Sequence, residues 1–299
     1  MNSSVFPASG SARAGVLLIA LLAVLSAAGV ATATEGRTND PPSRDSQTAA
    51  ALDAAVSAVR SLAVSPQAGV GVNALVVPDV QTGDLAASGP TDGAYFRYYT
   101  VSGQDVFATV DVRDSHVAQL LLLHRAPTSR PTTTITPQQA SSVASAYLAA
   151  RNISTIGLTM TLSLQDHGDS ETYVVAWQRI VNGAEVPDSR EVEMDAGTGI
   201  VFRLHNITRP YAVPSPAVVG RDLAISNAGV AVAQTTSAAP TSAVLVARAF
   251  TVVSSDLRVV FAAAGVQQLI WQIGLKSTSD YFLVNVDAAT GNATVIGRG

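Results

Sequence analysis

The chain has 299 residues, 47% of them hydrophobic and 13% charged, with a net charge of −4. That is material for two or three small domains, and the scattered cations argue against a nucleic-acid surface. There is no cysteine, which excludes disulfides, thiolate metal sites, a cysteine nucleophile and a lipid-modified N-terminal Cys.

Arg13 precedes twenty uncharged residues, 14–33, which close on Ala31-Thr32-Ala33. This pattern predicts an export signal over 1–33, with an uncleaved membrane anchor as the alternative. Either one places the remainder outside the cytoplasm, secreted or held at the membrane face. Lys276 is the single lysine and alanine is abundant, a composition that suggests a bacterial, GC-rich genome. Residues 34–46 read as a polar linker.

Leu52, Val56, Val59 and Leu62/Ala63 then recur at helical spacing, and Pro66 marks the end of that helix. The Gly- and Asp-rich stretch 78–93 reads as a long loop. Strands are predicted at 95–101, 106–112 and 117–123. After a linker, Thr136-Pro137 opens a second helix with Ala140, Val143/Ala144, Tyr147 and Leu148 on one face. Strands follow at 158–164, 173–181, 191–195 and 200–206, and Asn182-Gly183 is a hairpin signal. Beyond a Pro-rich linker, Ser226 is the expected cap of a third, weaker helix. The last strands are predicted at 243–253, 257–263, 268–276, 282–287 and 293–297. The order of helix followed by antiparallel strands thus occurs three times, predicting an α+β fold of tandem small modules, each a helix packed on an antiparallel sheet.

Two of these units share a phrase. Trp177-Gln178 precedes Asp195-Ala-Gly-Thr-Gly199, and Trp271-Gln272 precedes Asp287-Ala-Ala-Thr-Gly291. The first unit holds a fainter copy, Asp111-Val-Arg-Asp-Ser115, with Tyr98 and Tyr99 upstream and no Trp. With the helix opening "ITPQQA" and the run "DLRVVFAAAGVQQLIWQIGL", these phrases resemble the PepSY domain and the related propeptides of thermolysin-type metalloproteases. The resemblance covers modules at 132–211 and 217–299, and extends to a weaker one at 47–127. It implies a helix packed on an antiparallel sheet, and roles in restraining or assisting secreted peptidases or at the cell surface. The motif brings no catalytic residues.

The residues themselves lead to the same expectation. An Asp at the end of a strand can cap the amides of its own turn, Thr can add a local bond, and Gly supplies positive φ. A calcium loop would need more oxygen ligands than one Asp and one Thr. Trp177 and Trp271 suit the gap between sheet and helix. His116, His124, His167 and His205 lack the His-Glu-x-x-His spacing of a zinc protease. Gly69-x-Gly71-x-x-Ala74 is a partial dinucleotide fingerprint with no βαβ unit around it. The expectation is therefore a non-enzyme with no catalytic, cofactor-binding or metal-ligating residues and no cofactor. Its expected partner is a protein, with a secreted peptidase acting in trans as the candidate. Nucleic acid is not expected, and membrane contact only through residues 14–33. A membrane-tethered structural or sensory module of the cell envelope is the alternative.

Overall fold

A helix at Ser46–Ala63 (α1) turns Leu52, Ala55, Val59 and Ala63 inward, the spacing that makes one apolar stripe at 3.6 residues per turn. The structure, a computed structural model, describes residues 46–63, 80–92, 97–235, 250–261, 266–278 and 280–299. Residues 14–33, nearly all of the linker 34–46 and the Gly69–Ala74 stretch lie outside the described residues. Among the described residues no helix is long and apolar enough to cross a membrane.

Four strands follow α1: β1 (Ala86–Asp92), β2 (Arg97–Ser102), β3 (Val106–Asp111) and β4 (Val117–Leu122). The second helix, α2 (Pro137–Ala149), leads into β5 (Thr159–Asp166), β6 (Glu171–Val181), β7 (Ala184–Asp195) and β8 (Val201–Thr208). The third, α3 (Arg221–Thr235), precedes β9 (Thr251–Phe261), β10 (Gln267–Lys276), β11 (Tyr281–Asp287) and β12 (Ala293–Arg298). The fold is α+β. The chain divides into two units, whose described parts are 46–179 with 187–210, and 180–186 with 211–299.

In the first unit the strands run β1-β2-β3-β4-β8-β7-β6-β5. β4 pairs antiparallel with β8 through Gln119–His205, Leu120–Leu204 and Leu121–Arg203, so the strands that follow α1 and those that follow α2 share one sheet. One face buries Val101, Ala108, Leu120, Tyr173, Val175, Trp177, Val192 and Leu204 with α1 and with Ala140, Ala144, Tyr147 and Leu148 of α2. α2 begins where the sequence places it. Thr136 Oγ1 accepts from the Gln139 N–H at 3.2 Å, and Gln139 Oε1 accepts from the Thr136 N–H at 2.8 Å, a reciprocal capping box.

In the second unit β9, β10, β11 and β12 form successive antiparallel pairs. α3 lays Ala224, Ala228 and Val232 on Ile273, Phe282, Val284 and Val286. The 180–186 hairpin tip adds Ala184 and Val186 to a small cluster with Val259. Asn182 (φ 52°) and Gly183 (φ 78°) form that tip, the two positive-φ positions of a type I′ turn.

Three expectations are corrected. Part of the supposed loop 78–93 is β1, which pairs with β2 from Ala86 to Asp92. "AASGPTD" has no strand-forming pattern, and ladder bonds to a neighbour set its conformation. The two strands expected at 243–253 and 257–263 are one strand over their described part, β9, because Ser254–Asp256 continue the ladder with β10. Finally, α3 starts at Arg221, ahead of Ser226, and Ala224 N–H already bonds to the Gly220 carbonyl.

Candidate functional site

The repeated phrase builds the same turn three times. Asp195 Oδ1 accepts from the N–H of Gly197 (3.1 Å), the N–H of Thr198 (2.7 Å) and the Thr198 hydroxyl (2.7 Å). Asp287 Oδ1 accepts from Ala289 N–H (2.9 Å), Thr290 N–H (2.7 Å) and the Thr290 hydroxyl (3.0 Å). Hydrogen bonds from Thr290 and Ala289 hold the Asp287 carboxyl below its ordinary value, against the opposing effect of burial. Gly199 and Gly291 follow at φ 70° and 81°, and each N–H returns to its Asp carbonyl at 2.9 Å. The Ala after each Asp has its own task. Ala196 and Ala288 are buried, and their N–H groups reach Glu171 and Leu269. Their carbonyls accept from Ile135 and from Val218 and Val219, the segments that enter α2 and α3. Phrase and helix are therefore tied together by backbone bonds.

The faint first copy keeps this geometry with other side chains. Ser115 takes the positive φ (59°), its N–H bonds to the Asp111 carbonyl, and Val112 N–H reaches Arg97. Tyr99 pairs with Val110 as Trp271 pairs with Val286, so tyrosine stands in the register position of the missing tryptophan. Asp111, Asp114 and His116 bring their ligand atoms within 4.8 Å of one another. The Arg113 guanidinium lies on both Asp111 carboxylate oxygens and also donates to the Thr208 carbonyl. His116 Nδ1 meets Asp114 at 2.6 Å, and its Nε2 lies 3.2 Å from the Asn206 carbonyl. Through Thr208 and Asn206 the cluster ties the turn to β8.

A buried polar row, unforeseen in the sequence, crosses the sheet face away from α1 and α2. Glu191 faces His205 and Glu193 faces Arg203 across the β7–β8 ladder. Arg203 Nε donates to His205 Nε2 at 3.0 Å, and its Nη1 donates to Glu193 at 3.1 Å. Thr172 Oγ1 donates to Glu193 at 3.4 Å and lies 3.1 Å from His167 Nε2. Burial pushes the Glu191 carboxyl up to about 7, aided by the charge of Glu193 and opposed by Arg203. Burial, with the nearby Arg203 charge, pushes His205 down to about 3. Near neutrality His205 is the uncharged acceptor of the Arg203 bond. Perturbed carboxyl and imidazole groups side by side are the usual raw material of acid–base catalysis. Here the one hydroxyl in the row, Thr172, is 2% exposed. The only sequence signal for the row is "REVEMD", whose alternation puts both Glu residues on one face.

The outermost strands differ sharply. β1 contains Gly89 and Pro90 and has a register irregularity between Ser88 and Thr91. β12 is six residues long, contains Gly297 and Arg298, and has an irregularity at Leu283/Val284 in its pairing. Such features blunt a sheet edge against further strands. β5 has none of them. It runs eight residues, TMTLSLQD, in unbroken register with β6, and among the described residues β6 is its only partner strand. His167 N–H bonds to the Ser170 carbonyl at 2.9 Å, which fixes 167–170 as a hydrogen-bonded pair. Antiparallel alternation then turns the N–H and C=O groups of Met160, Leu162, Leu164 and Asp166 away from β6. Met160 and Leu164 are 47% and 48% exposed. This edge offers hydrogen bonds and an apolar row together.

No family model and no curated protein matches the chain. Among solved structures it is similar to the Bacillus megaterium YpeB C-terminal domain, at 13% identity and a TM-score of 0.38. That match covers 82% of this chain and 97% of the other.

Proposed function

We propose that this chain is a non-catalytic, extracytoplasmic PepSY-like protein that binds an extended segment of a secreted peptidase as an added strand on β5. One observation carries the reading: β5 is a regular eight-residue edge, uncharged at its centre, whereas β1 and β12 are short or irregular. Main-chain pairing supplies affinity in strand addition, while alternate side chains supply selectivity. The phrase-built modules resemble peptidase propeptides in sequence, which selects a peptidase as the partner. A segment held this way would be restrained or guided in folding without any chemistry by this chain.

The test combines the full chain with secreted peptidases of its own organism and follows binding, inhibition and refolding. Leu164→Pro is the key variant, because the Leu164 N–H points away from β6 and its loss leaves the β6 ladder intact. Binding that falls at least tenfold in Leu164→Pro, with an unchanged circular dichroism spectrum, supports the proposal. Equal binding by this variant, or no effect of the wild-type chain on any of the peptidases, overturns it.

A further inference from the structure

The β5 edge is complementary to itself. The first three of its outward-bonding residues read Met160, Leu162, Leu164, each with a large apolar side chain, and Asp166 closes the row. Reversed about Leu162, the row is Leu, Leu, Met, so an antiparallel copy sets Met160 against Leu164 of its mate and Leu162 against Leu162. Thr161 and Ser163 face each other on the opposite side of the ladder. The closed, two-fold arrangement is the commonest way for identical chains to associate.

The charges at the two ends of the strand agree with this register. At the C-terminal end one guanidinium, Arg130, serves two carboxylates, Asp166 and Glu171, a cluster of net charge −1. At the N-terminal end two guanidiniums, Arg179 and Arg190, share one carboxylate, Asp188, a cluster of net charge +1. Arg179 also donates to the carbonyls of Ile156 and Gly157, just ahead of β5. Antiparallel pairing about Leu162 brings Asp166 of each copy beside residue 158 of the other, so opposite net charges meet twice. Parallel pairing would place like clusters together.

We propose that β5 pairs antiparallel with β5 of a second copy, centred on Leu162, and that this self-pairing closes the edge until a partner segment displaces it. The proposal rests on the reading of β5 as a strand-accepting edge, and it adds the device that regulates access to that edge. Burial of an exposed edge against a second copy is also what keeps it from uncontrolled aggregation.

The absence of cysteine from the sequence makes cross-linking clean. In the full chain, Leu162→Cys places a thiol opposite its own symmetry mate, within the Cα separation a disulfide spans. Met160→Cys faces Leu164 of the mate and lies several residues from its own copy. Under mild oxidation Leu162→Cys is expected to give a covalent dimer at least tenfold faster than Met160→Cys. The wild-type chain should sediment as a dimer, and Leu164→Pro should sediment as a monomer. The oxidised Leu162→Cys dimer should lose peptidase binding and regain it on reduction. Equal cross-linking of the two cysteine variants, a monomeric wild type at every concentration, or a dimeric Leu164→Pro overturns the self-pairing. If the chain is monomeric yet Leu164→Pro abolishes peptidase binding, self-pairing fails and strand addition stands. If the cross-linked dimer forms but peptidase binding ignores Leu164→Pro, strand addition fails and self-pairing stands.

Discussion

Glu191 and His205 lie directly opposite one another on β7 and β8, both more than nine-tenths buried, with the Arg203 guanidinium acting on both. Neither group favours its charged form there. The carboxyl is raised to about 7 because removing its charge from water, beside Glu193, costs more than Arg203 returns. The imidazole is lowered to about 3 because burial and the Arg203 charge both oppose its protonation.

That opposition sets a pH dependence. The folded-state value of Glu191 lies above its ordinary 4.5, so its stabilising contribution is complete below 4.5 and is lost as pH rises through about 7. Glu191→Gln keeps the shape and removes the titration. The variant should gain on the order of 2–3 kcal/mol over wild type at pH 8 and little at pH 4.5. Thermal melts of the two proteins across that range provide the check, and a difference that does not change with pH would show that Glu191 is not a buried acid.

The three turns predict opposite effects at equivalent positions. Gly291 has φ 81°, and a Cβ there would lie 2.8 Å from Asn227 Nδ2, the group that donates to the Gly291 carbonyl. Gly291→Ala should cost about 1–2 kcal/mol. Ser115 already sits at φ 59°, so Ser115→Gly should stabilise by about 0.5–1 kcal/mol. Denaturant titration of both variants reads the pair, and a loss of stability in Ser115→Gly would contradict the equivalence of the turns.

Trp271 donates its indole N–H to the Val219 carbonyl at 2.8 Å, joining β10 to the entry of α3. Trp271→Phe keeps an aromatic ring and removes the donor. The expected loss is about 1–3 kcal/mol, the cost of an orphaned carbonyl with some lost packing. Hydrogen exchange should show the deficit concentrated in α3, and uniform loss across the chain would argue against the anchoring role.

Gly274 has no room for a side chain: a Cβ would meet Ser254 Oγ and Tyr281 Oη, each at 2.6 Å. Gly274→Ala should cost about 1–3 kcal/mol through overpacking of β9 against β10. Relief of that cost by adding Ser254→Gly would locate the clash, whereas additive losses would place it elsewhere.

What could be read from the sequence was what its own neighbourhood fixes. Thr136-Pro137 with Gln139 supplies every group of the α2 cap within four residues, and Asn182-Gly183 supplies both positive-φ positions of its hairpin. The Asp195 and Asp287 phrases likewise close their bonds inside five residues. β1 escaped notice because nothing in "AASGPTD" favours a strand, and its conformation comes from β2.

The sequence by itself determined the turns of the repeated phrase, the α2 cap and the apolar stripes of α1 and α2, because those bonds and periodicities are local. Only the tertiary structure decided that Glu191, Glu193, Arg203 and His205 meet in a buried row, since alternation separates two faces without saying which is shielded from water. Only it decided that β5 lies at an edge with β6 as its one partner strand among the described residues. Strand order arises from pairings between distant segments, such as β4 with β8, and no short stretch of chain encodes its own position in a sheet.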